Sequence, residues 1–312
     1  MLIDGQWSDD RLRTLAVDES GRFVRQESGF RNWITPHGDG GPTGQGGFPA
    51  ESGRYQLLVS LSCPWASRTL IARKLKSLET IISVAIAEPA MGAQGWHFAH
   101  GADTGFEYLH QAYTRADPHF TGRVTVPVLW DKLRETIVNN ESADILRILN
   151  SGFVEMADPT IDLYPDDLRE QIDALNDRIY LHLNNGVYRA GFAKTQGAYE
   201  EAFADVFGMI GELEDRLAGG GPFLLGDRFT EADIRLFVTL VRFDAAYHGL
   251  FKCNLRRIAD YSALSAYLYR VLDIPGIRDT VSIDHIKRGY YSIPFLNPNG
   301  IVPLGPDLRD VP

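Results

Sequence analysis

The stretch LLVSLSCPWASRTL, residues 57–70, decides the fold: an apolar run gives way to a helical pattern, with Cys63 at the join. Working outward, YQLLVSLS reads as a strand. CPWASRTLIARKLKSLE reads as a helix, with Leu70, Ile71, Leu75 and Leu78 at helical spacing. Pro64 suits the first turn of that helix, where no N–H is needed. A cysteine in this position meets unpaired backbone N–H groups and the positive end of the helix dipole, and both stabilise a thiolate. Helix starts bring a thiol pKa from about 8.5 to roughly 3.5–7.5. Ala66 stands where a C-x-x-C motif would carry its second cysteine. An internal disulfide of that kind is therefore excluded, and the chemistry must use an external thiol. Cys253, in FKCN, is read as lying on a bundle helix with the ordinary role of cysteine, a small buried hydrophobe.

On either side the pattern extends. IISVAIAEP is the next strand, VTVPVLWD and ETIVN are a pair of strands around a short turn, and ESADILRILN is a helix after them. A β-α-β unit followed by a hairpin and a helix is the order of a thioredoxin-like domain, expected over residues 51–160. Residues 88–122 are its irregular part, with a short helix around FEYLHQAYT. Residues 1–50 read as an extended arm, because TPHGDGGPTGQGGFPAESG is too rich in glycine and proline for regular structure. Those glycines do not make a phosphate loop, since no Lys-Ser/Thr follows them. From 161 to 312 the chain reads as helices alone, ending in an irregular tail. Thr230 and Asp233 form a capping pair ahead of a helix expected to be central. The fold class is α/β plus all-α.

Composition limits the function. With 312 residues and 44% hydrophobic content the chain can bury the cores of two domains. A net charge of -10 opposes binding to nucleic acid or an anionic membrane, both of which need a basic face. No apolar run approaches the roughly 18 residues of a membrane span. MLIDGQWSDDRL lacks the basic-then-apolar order of a leader peptide. Two cysteines are no disulfide framework, so a cytoplasmic protein with a free Cys63 thiol is expected. HFAH at 97–100 has no further ligands near it, and no metal site is expected.

The segments SCPWA, VTVPVL, NNES, GVYRAGFA, VRFDAAYHGLFKCN and NPNGIVPLGP together resemble the xi-class glutathione transferases, the glutathionyl-hydroquinone reductases. The similarity runs from DGQW near the start into the C-terminal tail. It implies a thioredoxin-like domain followed by a glutathione-transferase-type helical bundle, a homodimer, and glutathione as co-substrate. It also implies that Pro127 is cis and that the Val126 backbone pairs with the glutathione cysteinyl unit. Glu141 and Ser142, at a helix start, would receive the γ-glutamyl end, an arrangement that by residue type alone is equally a helix cap. Trp96 and Arg123 match family positions that contact glutathione. Tyr188 matches the family's proton donor, with Gly186 and Gly191 expected to break the chain around it. Tyr247 and Tyr290 match tyrosines that support the cysteine thiolate. The chain departs from the family in YYSIPFLNP, where Ile293 stands in place of a histidine.

On this reading the Cys63 thiolate attacks the sulfur of a glutathionyl-hydroquinone, Tyr188 protonates the ring carbon, and a second glutathione releases oxidised glutathione. Two alternatives stay open on the residues alone. A general monothiol reductase of glutathione mixed disulfides or dehydroascorbate needs the thiol but not the tyrosines. A non-catalytic scaffold of the same fold needs neither.

Overall fold

The computed structural model describes residues 1–9, 17–100 and 102–306. These divide into two units. One holds the N-terminal residues and Gln26–Asp162, and the other holds the stretch ending at Arg25 together with the chain from Leu163 onward.

In the first unit, short strands β1 (Leu2–Ile3) and β2 (Gln6–Trp7) pair antiparallel, and β3 (Trp33–Thr35) runs parallel to β4 (Gly47–Pro49). The stretch expected as an irregular arm thus holds regular structure and is shared between the units. Its glycines serve close packing: a Cβ at Gly41 would meet the Trp33 ring at 2.1 Å, and one at Gly47 the Gly38 carbonyl at 2.1 Å. Glycine there permits near approach of backbone, which composition alone does not distinguish from looseness.

A four-stranded sheet follows, in the order β6-β5-β7-β8, from β5 (Tyr55–Val59), β6 (Ser83–Ile86), β7 (Val128–Asp131) and β8 (Thr136–Asn139). β5 lies parallel to β6 and antiparallel to β7, and β7 is antiparallel to β8. All five residues of β5 are buried, as expected of an inner strand covered on both faces. α1 (Pro64–Leu75) crosses from β5 to β6, α2 (Leu109–Ala116) precedes β7, and α3 (Ser142–Ser151) follows β8. This is a thioredoxin-like domain.

α1 stops four residues short of the expected Glu79. Ser77 takes a left-handed conformation (φ 55°), so that its N–H reaches the Lys74 carbonyl at 3.1 Å and Leu78 N–H reaches Arg73 at 2.9 Å. That pattern is a Schellman stop made with serine in the glycine position, so no glycine announces it.

The second unit is helical, with α4 (Arg169–Arg178), α5 (Gly186–Phe192), α6 (Gln196–Gly219), α7 (Glu231–Arg242), α8 (Ser262–Leu272) and α9 (Ile283–Tyr291). Every residue of α7 is buried, making it the central helix, and Thr230 with Asp233 caps it reciprocally. Two π-helical segments interrupt the helical periodicity, at Ile179–Asn184 and Phe243–Tyr247. The first turns Asn184 into the core, where its amide donates to the Arg235 carbonyl and to Thr239 Oγ1, both at 2.8 Å. Cys253 lies beyond the second segment in irregular chain, not on a helix, and is fully buried.

Candidate active site

Cys63 is the N-cap of α1. Its backbone is extended (φ -83°, ψ 121°), and Pro64 occupies the first turn. β5 delivers it there: Cys63 N–H returns to the Ser60 carbonyl at 3.1 Å, and the Cys63 carbonyl accepts from Ser67 N–H at 3.0 Å, opening the helix. The side chain is half-buried, and its Sγ donates to the Val126 carbonyl at 3.6 Å. The Val126–Pro127 bond that follows is cis. Two expected site residues 63 apart in sequence therefore meet.

Glu141 caps α3, its Oε1 accepting from Ala143 N–H at 3.1 Å and from Ser142 Oγ at 3.4 Å. Two residues that sequence reasoning missed complete this corner. Ser28 Oγ donates to Glu141 Oε2 at 3.0 Å, and the buried Arg68 donates from Nη1 to Ser142 Oγ at 3.4 Å while its guanidinium lies 4.4 Å above the Trp65 ring. Arg68 sits one turn into α1 from the cysteine, a spacing that marks it as a neighbour of the helix start. Ser28 had no local signal. Trp96 and Arg123 are half-buried in the segments that precede α2 and β7. The Trp96 carbonyl accepts from Leu109 N–H at 3.0 Å, which begins α2.

In the helical unit the three expected tyrosines form one chain. Tyr188 and Tyr290 hydroxyls are 2.6 Å apart, and those of Tyr290 and Tyr247 are 2.8 Å apart. Tyr188 lies within α5, not at a break. Gly191 serves close packing against Phe251, whose ring a Cβ would meet at 2.4 Å. Tyr247 comes from the π-helical segment after α7, and Tyr290 from the last turn of α9. Tyr290, not its neighbour Tyr291, is the member of this chain.

Burial holds the Tyr247 and Tyr290 hydroxyls well above the ordinary phenol range; the Tyr188 phenol adds to the effect, and the charge of Arg242 opposes it. Tyr247 is 0% exposed and Tyr290 6%, whereas Tyr188 is half-buried. Tyr188 is thus the outlet of the chain. In each contact either hydroxyl can be the donor, and the middle oxygen, Tyr290, can accept from both neighbours. Among the described residues, no group of three or more His, Cys, Asp or Glu is arranged to hold a metal.

The fold and this site define a class. Residues 62–151 match the family model described as glutathione S-transferase, N-terminal domain, and residues 196–270 match its C-terminal domain. The glutathionyl-hydroquinone reductase PcpF of Sphingobium chlorophenolicum is 50% identical over 98% of this chain and 96% of its own. The reductase YqjG of Escherichia coli is also 50% identical, over 98% and 94%. The glutathione-bound structure of YqjG gives a TM-score of 0.88 at 48% identity, covering 98% of this chain and 95% of its own. The xi glutathione transferase of Phanerochaete chrysosporium gives 0.88 at 45%, covering 94% and 95%. The chain belongs to the xi-class glutathione transferases, the family of the glutathionyl-hydroquinone reductases.

Proposed function

We propose that the protein reduces glutathionyl-hydroquinones to hydroquinones with glutathione, through a mixed disulfide on Cys63. The observation that carries this reading is Cys63 at the start of α1, with its sulfur against the Val126 carbonyl, in a chain half identical to named reductases of this kind. Glutathione lies along Val126, with its γ-glutamyl end at Glu141 and Ser142 and with Trp96 and Arg123 against it. The Ser142 hydroxyl with the positive end of α3, and the Glu141 carboxylate, suit, respectively, the carboxylate and the ammonium of that end.

In the first stage the Cys63 thiolate attacks the glutathionyl sulfur, and the carbon–sulfur bond breaks. Carbon leaves poorly as an anion, so Tyr188 protonates it as the bond opens. In the second stage glutathione attacks the mixed disulfide, restoring the Cys63 thiolate and releasing oxidised glutathione. Tyr290 donates to Tyr188 as its oxygen gains charge, and Tyr247 donates to Tyr290 behind it. The reading carries with it a homodimer, as the xi class implies, and the cytoplasm, where Cys63 stays reduced.

Purified protein incubated with a glutathionyl-hydroquinone and glutathione should form hydroquinone and oxidised glutathione in equal amounts. Cys63→Ala should abolish both while preserving the fold by circular dichroism. Full turnover in that variant would refute the mechanism.

A further inference from the structure

The second unit includes a strap of chain that comes from the N-terminal region. Val17 bridges Phe23, and Gly21 turns the strap at φ 82°, where a Cβ would meet the Thr195 side chain at 2.8 Å. Lys194 N–H donates to the Gly21 carbonyl at 3.0 Å, and Thr195 Oγ1 donates to the Ser20 carbonyl at 2.8 Å. Arg22 pairs with Glu201 at 2.7 Å. Phe23, 4% exposed, packs edge-on against Phe192. The strap delivers Arg25, whose guanidinium lies over the Tyr188 ring, 4.9 Å from its centroid. Arg25 Nε donates to Asn185 Oδ1 at 2.9 Å, and Asn185 is itself buried at the start of α5.

We propose that Arg25 is a positioning residue for the proton transfer assigned to Tyr188, its charge stabilising the phenolate that forms when Tyr188 gives up its proton. The inference rests on the function proposed above. The electron pair of the breaking carbon–sulfur bond stays on the ring carbon, which takes the Tyr188 proton. The negative charge that began on the Cys63 thiolate ends on Tyr188 oxygen, and water returns the proton. A cation over an aromatic face is attracted to a neutral phenol ring and more strongly to a phenolate, so it favours the state in which the proton has left. The Asn185 bond fixes the guanidinium in place, so little reorganisation accompanies the transfer.

The charged and titratable groups arranged about Tyr188 include Arg25 on its face and Tyr290 at its hydroxyl, with Tyr247 behind Tyr290 and Arg242 acting on both inner tyrosines. Arg189, the next residue in α5, is paired with Asp205 and Glu201. Phe192 and Phe251 meet the Tyr188 ring edge-on. The guanidinium of Arg25 is a cation set on the tyrosine ring itself.

The test compares Arg25→Gln and Arg25→Lys with wild-type protein in three measurements. They are kcat for hydroquinone release, the rate of reducing a simple glutathione mixed disulfide, and an ultraviolet titration of Tyr188, identified as the ionisation that disappears in Tyr188→Phe. Arg25→Gln should lower kcat for hydroquinone release about 3- to 30-fold, the range of a partly desolvated cation–π contact. KM for glutathione should move little, and the mixed-disulfide rate should fall far less. Tyr188 should ionise at higher pH, and Arg25→Lys should recover most of the loss. An equal fall in both reactions, or an unmoved Tyr188 titration, would overturn the role. Absence of hydroquinone release by wild-type protein would overturn the proposed function and the positioning role of Arg25 with it. That outcome is distinct from wild-type turnover with an unshifted tyrosine.

Discussion

Burial separates the two thiols. Cys253 is 0% exposed and its thiol is pushed up to about 12, while Cys63 is half-buried at a helix start. Brief alkylation of the native protein at about pH 8, followed by mass spectrometry, should therefore give one adduct, on Cys63, and two after denaturation. A doubly labelled native protein would contradict that assignment. Tyr188 calls for a different experiment, because sulfur exchange and carbon protonation must be told apart. Tyr188→Phe should slow hydroquinone release by about 10²–10⁴-fold, the contribution of a positioned acid. Its reduction of a plain mixed disulfide should change much less. If both activities fell together, a general thiol reductase would be the better description.

At the scale of single elements, α7 depends on its first turn. Asp233 accepts from Thr230 N–H, Leu224 N–H and the Tyr267 hydroxyl, each at 2.9 Å and all buried. Asp233→Ala removes a cap worth about 1 kcal/mol and strands buried donors at about 1–3 kcal/mol more. A total loss of about 3 kcal/mol is expected in denaturant unfolding, and a loss below about 1 kcal/mol would mean that the carboxylate is dispensable. This cap was legible because Thr230 and Asp233 are three residues apart. So was the helix start at Cys63, where the relevant physics is local. The end of α1 was not, because Ser77 does the work of a glycine. Neither were the π-helical segments, since one added residue per turn leaves little trace in an apolar pattern. The tyrosine chain joins residues 102 apart in sequence, so its members were found by their motifs and their mutual bonds only by the fold. Arg25 had neither period nor motif to mark it.

For the molecule as a whole, alkaline pH is the informative axis. Burial raises the hydroxyls of Tyr55 and Tyr113 in one unit and of Tyr247, Tyr267 and Tyr290 in the other, along with the Cys253 thiol. The folded state keeps protons that the unfolded chain releases above its ordinary values of about 8.5 for the thiol and about 10 for the phenols. Stability from these groups is complete below that window and declines as pH rises through it. Thermal midpoints should thus fall between about pH 9 and 11 in both units, and a flat profile across that range would refute the account. The strap adds a constraint of another kind, one of timing. Ser20 waits for Thr195, 175 residues later, and Arg22 for Glu201, 179 residues later. At about 5–20 residues per second, synthesis leaves roughly 10–35 s in which Phe23 has been made and its cover has not. On a growing chain, the charge that Tyr188 is proposed to use is among the earliest parts to emerge, and it waits for residues 185–201 before it can be seated.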